Sequence, residues 1–129
     1  MADGGGGVRD WGGYDAALRT RGKALSALHP DLVRAFVDLG GAASKARHLD
    51  ARTRELIAVA VAVTTRCDGC IAAHVAKAKA AGATREELAE AVAVAVALAA
   101  GAAFTYGLHV LDAAEAAGVP TSVGAGTAG

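Results

Sequence analysis

The sequence predicts an all-α fold, a bundle of about six helices formed as one domain over residues 1–129, with flexible ends at 1–12 and 119–129. Alanine, the strongest helix former, supplies 35 of the 129 residues. Leucines and valines recur at helical spacing in several segments, and capping residues or glycines flank most of them. A chain of this length buries enough surface for an independent core.

The first two helices are separated by His29-Pro30. Leucines spaced along 14–28 indicate the first helix, and Pro30 is suited to the first turn of the second, where its missing N–H costs nothing. We expect this second helix to end at Gly40-Gly41, followed by a basic connection over 42–49.

The later helices carry clearer capping signals. Asp50 is a good N-cap, Thr84 with Glu87 forms a capping box, and Gly82 and Gly118 are suited to helix ends. Gly101 is expected to separate the last two helices. Four helices are therefore predicted over 51–65, 68–82, 85–100 and 102–117.

Two segments, 58–63 and 91–97, alternate Ala with Val. Strict alternation usually indicates a strand, but here both alternating residues are apolar and no solvent-facing side is defined. As helices these segments are apolar all round and must be covered on every side. We therefore predict a homo-oligomer that buries part of the fifth and sixth helices.

Composition and charge exclude several classes of protein. Thirteen basic and thirteen acidic residues cancel without a basic stripe, so no nucleic-acid partner is expected. The longest apolar run, 91–104, is shorter than the about 20 residues of a membrane-spanning helix, which favours a buried helix and no membrane. Residues 1–13 lack the features of a secretory signal, so a cytoplasmic location is expected.

The segment Cys67-Asp68-Gly69-Cys70, followed by His74, carries the candidate chemistry. In a reducing cytosol a static structural disulfide is improbable, and this spacing points to redox or metal chemistry. If Cys67 caps a helix, Cys70 lies in its first turn and His74 follows on the same face. A thiol there is stabilised as thiolate by the helix dipole, and the imidazole is placed to move its proton.

Glu55 is the fourth candidate residue. Folding the third and fourth helices back to back brings position 55 beside His74. Glu55 shares its helix face with apolar residues, and an unpaired buried carboxylate is costly. Glu55 is therefore expected to hold the His74 imidazole in one tautomer and to stabilise its protonated form.

Alternative interpretations remain open for these residues. Cys67, Cys70, His74 and Glu55 would also suit zinc, although no second ligand pair exists elsewhere. The alternative function is therefore a non-enzymatic one, a metal-binding or purely oligomeric interaction module. Asp68 is expected to support the helix start, His29 and His48 to be exposed, and His109 to pack in the core or at an interface. The basic residues Arg47, Arg52 and Arg54 are expected on a solvated surface.

These motifs resemble the alkylhydroperoxidase D-like branch of the carboxymuconolactone decarboxylase family. The resemblance covers about residues 49–117, through the Thr-Arg-Glu-Leu-Ile-Ala segment at 53–58, the Cys-x-x-Cys-x-x-x-His segment at 67–74 and the Ala-Gly-Ala-Thr-Arg-Glu-Glu segment at 81–87. Tyr106-Gly107 also fits the family pattern. Gly69 departs from it, because alkylhydroperoxidase D itself carries a second histidine between the cysteines.

The resemblance implies an all-α chain that forms homo-trimers or homo-hexamers, needs no cofactor or metal, and reduces hydroperoxides with a dithiol. It implies that Cys70 attacks the peroxide, that Cys67 resolves the sulfenic acid as a disulfide, and that Glu55 and His74 relay the proton. A dithiol reductant, such as a lipoyl- or thioredoxin-like protein, would then reopen the disulfide. The missing second histidine leaves general thiol–disulfide exchange open, and the cysteine pair makes lactone decarboxylation an unfavoured alternative.

Overall fold

The computed structural model describes residues 9–45 and 47–122, and these residues form six helices without a strand. The all-α prediction is confirmed. The predicted flexible ends fall largely on 1–8 and 123–129, which lie outside the described residues, whereas residues 11 and 12 already belong to the first helix. The helices are α1 (Trp11–Leu28), α2 (Pro30–Ser44), α3 (Ala51–Thr64), α4 (Asp68–Ala80), α5 (Arg85–Gly107) and α6 (His109–Ala116).

The α3 helix lies at the centre, with α4 and α5 packed against it. The most buried side chains lie on these three helices and are small: Val59 and Ala62 on α3, Ala78 on α4 and Ala95 on α5. Small side chains at the contacts allow close approach of the helices. The candidate site residues of α3 and α4 are therefore held on a tightly packed pair.

The α1 and α2 helices form a hairpin beside this centre. α1 packs against both α2 and α4, whereas α2 packs against α1 alone among the described helices. Apart from its last residue, Ser44, whose carbonyl accepts a hydrogen bond from Arg54 of α3, α2 therefore stands off from α3 and α4. Several of its apolar side chains are exposed, including Phe36 and Val37.

The turn between α3 and α4 is a Schellman motif. The Cys67 N–H donates to the Ala62 carbonyl at 3.0 Å and the Arg66 N–H donates to the Val63 carbonyl at 3.2 Å. This motif needs a residue in the left-handed region, which Arg66 supplies with φ of 54°. The same motif ends α4, where Gly82 has φ of 83° and the predicted glycine is in place.

Two predicted helix ends are wrong. α2 continues through Gly40-Gly41 to Ser44, and α5 continues through Gly101 to Gly107. Alanines surround these glycines, and their high helix propensity offsets a glycine cost of about 1 kcal/mol. The break between the last two helices lies at Leu108 instead.

α5 and α6 follow each other across Leu108 as one apolar rod, Arg85–Ala116, here called the α5–α6 rod. Its most apolar window of 18 residues has a mean hydropathy of 1.9, and only 6% of that window is buried within the chain. The predicted buried helix is therefore not buried by this chain itself. The rod is long and apolar enough to cross a membrane, criteria that a core helix of a soluble protein also meets.

Candidate active site

Cys67 takes part in the ends of two helices. Its N–H completes the Schellman motif of α3, and its sulfur Sγ accepts the backbone N–H of Cys70 at 3.2 Å as the N-cap of α4. Cys70 lies in the first turn of α4, where the helix dipole favours a negative charge. The predicted placement of both sulfurs at this helix start is thus observed.

The two cysteines are joined to each other by a disulfide, with Cα atoms 5.2 Å apart. The structure therefore shows the oxidised state of the pair. Both residues are partly buried and line the surface of a cleft, so the bond is open to attack by a thiol.

Glu55 on α3 and His74 on α4 meet across the interface between the two helices. Glu55 Oε2 lies 2.6 Å from His74 Nδ1, and the two side chains are 19% and 32% exposed. This is the contact that the register of two antiparallel helices predicts. When Nδ1 donates to the carboxylate, Nε2 is left to exchange a proton with another group.

One cleft, here called the dithiol cleft, brings all four residues together. It lies between the α1–α2 hairpin and the α3–α4 pair and has a volume of about 1010 Å³. Helical spacing places Cys70 and His74 on the same face of α4, one turn apart. The dithiol cleft thus places the disulfide, an imidazole and a carboxylate on one partly enclosed surface.

Comparison with known proteins places this geometry in a family. The model of the carboxymuconolactone decarboxylase family matches residues 30–113. The chain belongs to this family. The Cys-x-x-Cys pair and the all-helical fold are consistent with its alkylhydroperoxidase D-like branch.

Relatives of the chain support the assignment to the carboxymuconolactone decarboxylase family. A family protein from Legionella pneumophila, solved as apo-lpg0406, has a TM-score of 0.66 and 35% identity, covering 81% of this chain and 94% of that one. An uncharacterized protein of Haemophilus influenzae is 48% identical over 104 residues, 81% of this chain and 92% of its own length. Uncharacterized protein 4 in the cox locus of Paracoccus denitrificans is 48% identical over 67 residues, which cover 50% of this chain and 60% of that protein.

Gly69, the position at which this sequence departs from the alkylhydroperoxidase D pattern, lies beside Leu18 of α1. A Cβ atom added to Gly69 would lie 3.0 Å from Cδ1 of Leu18. Any side chain at this position would have to displace the Leu18 methyl group. α1 thus lies beside the dithiol, and a side chain at position 69 would require a small shift of Leu18.

The structure also describes the remaining residues for which the sequence led to expectations. Asp68 pairs with Arg9 at 2.8 Å at the start of α4, and His29 and His48 are exposed as predicted. His109 is not in the core of this chain, because its side chain is 70% exposed and its ring stacks edge-on against Tyr106. Packing of His109 at an interface stays a prediction. Among the described residues, no group of three or more His, Cys, Asp or Glu side chains is arranged to hold a metal ion.

Sequence reasoning missed two basic residues of the dithiol cleft, Arg54 and Lys77. Arg54 was expected on a solvated surface, but it is partly buried and its guanidinium donates to the carbonyl of Ser44 at the end of α2. Lys77 follows His74 by three residues, a spacing that places both on one face of α4. That spacing was the available signal for Lys77, whereas the approach of α2 to Arg54 depends on the tertiary fold.

Proposed function

We propose that this protein is a cytoplasmic thiol-dependent peroxidase and disulfide oxidoreductase, with hydroperoxides as substrates. The observation that carries the proposal is the Cys67–Cys70 disulfide on the same cleft as the Glu55–His74 pair. A proton relay beside a redox-active sulfur pair is the equipment that this chemistry needs.

The first step oxidises Cys70. The His74–Glu55 pair accepts the proton of the Cys70 thiol, and the thiolate attacks the terminal oxygen of the hydroperoxide ROOH. The O–O bond breaks, Cys70 becomes a sulfenic acid, and the leaving alkoxide takes the proton to become ROH. The position of Cys70 in the first turn of α4, one turn before His74, supports its role as the attacking residue.

The second step closes the disulfide. The Cys67 thiol attacks the Cys70 sulfur, and the sulfenic oxygen leaves as water after taking up the Cys67 proton. A dithiol reductant, of lipoyl- or thioredoxin-like type, then reduces the disulfide by exchange and becomes a disulfide itself. The sum is ROOH plus dithiol giving ROH, water and an oxidised dithiol.

Peroxide treatment of cysteine variants tests this mechanism. Mass spectrometry of the reduced protein after stoichiometric peroxide should show the loss of two hydrogens within the peptide that contains both cysteines. Cys70→Ser should abolish turnover with a dithiol reductant, and Cys67→Ser should trap a sulfenic acid. Full peroxidase activity in Cys70→Ser would overturn the mechanism, as would about one zinc per chain with unreactive thiols.

We also propose that the protein functions as a homo-trimer or homo-hexamer assembled through the α5–α6 rod. Leu98, Phe104 and Val110 on the rod are 66%, 73% and 68% exposed in the single chain. These residues, six positions apart, lie on different sides of the rod, so its exposed surface is apolar all round, and exposed apolar surface marks association sites. A second copy would supply the cover that the apolar sequence of the rod requires.

A further inference from the structure

We infer that the dithiol cleft takes an anionic amphipathic substrate, an organic hydroperoxide with a long apolar body and a carboxylate at one end. The inference rests on the proposed function and narrows its substrate class. It is carried by the size of the dithiol cleft, its apolar walls and the sign of its charge.

The size and lining of the cleft favour an organic molecule over hydrogen peroxide. Its volume of about 1010 Å³ lies at the upper end of small-molecule sites, which are about 300–1,000 Å³. Phe36 and Val37 of α2 line it and are 74% and 62% exposed in the single chain. Ile57 lines it from α3. A long apolar chain would remove these side chains from water, which hydrogen peroxide cannot do.

The charges on the cleft select the head group. Arg54 and Lys77 are its two Arg or Lys residues, whereas Glu55 is its one acidic residue and already contacts His74. The lining therefore has an excess of positive charge within an apolar surface. Such a surface attracts an anion and disfavours a cation.

The positions of the two cations are suited to one end of an extended molecule. Arg54 precedes Glu55 on α3, and Lys77 lies one turn beyond His74 on α4, so the cations flank the Glu55–His74 pair. The Nε atom of Arg54 is buried and has no hydrogen-bond partner within residues 9–45 and 47–122. A buried unpaired donor is costly, and a bound carboxylate would add to the favourable charge that Asp50 already supplies to the guanidinium.

The first test compares two substrates that differ only in charge, linoleic acid hydroperoxide and its methyl ester. Both are assayed with a dithiol reductant at low ionic strength and below their critical micelle concentrations. We expect kcat/KM to favour the acid by about fivefold, a range typical of one partly exposed ion pair. Added salt should reduce this preference.

Lys77→Met and Lys79→Met form a matched pair for this test. Both lysines are exposed on α4, but only Lys77 lines the dithiol cleft, and Met keeps the aliphatic stem. The acid-to-ester ratio should fall towards one in Lys77→Met and stay at the wild-type value in Lys79→Met. Equal kcat/KM values for the acid and the ester in wild type, or an equal fall of the acid-to-ester ratio in both variants, would overturn the inference. The peroxidase proposal would remain intact.

Calorimetric titration of the oxidised protein with linoleic acid and methyl linoleate gives a readout independent of turnover. We expect tighter binding of the acid, weakened by Lys77→Met and not by Lys79→Met. Binding of the acid without reduction of either hydroperoxide would contradict the proposed function alone. Absence of preferential acid binding would overturn the anionic substrate class even if both hydroperoxides were reduced.

Discussion

Arg66 holds a backbone conformation that L-residues other than glycine rarely adopt, with φ of 54°. Its side chain is exposed, so the strain is not offset by packing. In this conformation a Cβ atom crowds the following carbonyl, at a cost of about 1–2 kcal/mol. The turn that positions Cys67 is therefore formed at the expense of global stability.

Replacing Arg66 with glycine should stabilise the protein. We expect the free energy of unfolding of Arg66→Gly to exceed that of Arg66→Ala by about 1 kcal/mol. Both variants lose the charge, but only glycine relieves the backbone strain. Urea unfolding monitored by circular dichroism measures the difference. Equal stability of the two variants would show that the turn is not strained.

The Glu55–His74 contact leads to a second prediction at the residue scale. Glu55→Gln keeps the volume and a hydrogen-bond acceptor but removes the negative charge beside the imidazole. We expect the reduced protein to react with iodoacetamide at neutral pH about tenfold more slowly, less than the about 10²–10⁴-fold effect of a whole general base, because the His74 imidazole is retained.

Glu86→Gln is the matched control for this measurement, because Glu86 is exposed in the first turn of α5 and does not line the dithiol cleft. Its thiol reactivity should equal that of wild type. If Glu55→Gln also reacts at the wild-type rate, the carboxylate does not support proton transfer from the cysteines.

At the scale of whole elements, α3 depends on its cap. Asp50 Oδ1 accepts the Thr53 backbone N–H at 2.7 Å. This hydrogen bond is the largest cause of the lowered pKa of Asp50, and a hydrogen bond with the Thr53 side chain is the second largest. The charges of Arg52 and Arg54 act in the same direction. The charged cap therefore stabilises the helix that carries Glu55.

Because the folded-state pKa of Asp50 is lowered, the contribution of this carboxylate to stability is fully present at pH values above the ordinary aspartate pKa. That contribution is lost as pH falls through the folded-state pKa. Asp50→Asn retains a capping oxygen but does not titrate. The free energy of unfolding of wild type should exceed that of Asp50→Asn at neutral pH, and the difference should shrink in acid. Asp38→Asn, at an exposed position of α2, is the control, and an Asp50→Asn difference that is constant with pH would contradict the prediction.

The starts of α2 to α5 were predictable from the sequence, whereas the starts of α1 and α6 and two helix ends were not. Asp50 and Thr84 signal a start through a local hydrogen bond from their side chains. Gly101 ends no helix, because a glycine ends a helix only where the chain turns into the left-handed region, as at Gly82. That turn depends on where the next helix packs, which local sequence does not specify.

At the scale of the whole molecule, the packing of the α3–α4 pair was predictable from the sequence, whereas the placement of the α1–α2 hairpin was not. The contact of Glu55 with His74 was predictable, because a short turn forces α3 and α4 to run antiparallel in one register. The dithiol cleft was not, because it depends on how far α2 stands from α3. That distance depends on long-range packing through α1, including the contact of Leu18 with Gly69.

The exposed α5–α6 rod gives a prediction at this scale. Leu98→Glu places a charge on the apolar surface proposed to associate, and we expect a loss of trimers or hexamers in light scattering at micromolar concentration. Leu28→Glu, at the 84% exposed end of α1, should leave the assembly unchanged. A monomeric wild-type protein would refute the oligomer.

The backbone at position 67 is anchored from both directions, through its own N–H to Ala62 and through its side chain to the amide of Cys70. The two Schellman bonds, from the Cys67 N–H to Ala62 and from the Arg66 N–H to Val63, do not involve sulfur, so we expect both to survive reduction of the disulfide. Switching between the two oxidation states then requires only torsional motion of side chains, without local melting. Amide exchange of Arg66 and Cys67 should accordingly be the same before and after reduction, whereas that of Cys70, whose amide donates to the sulfur, should change.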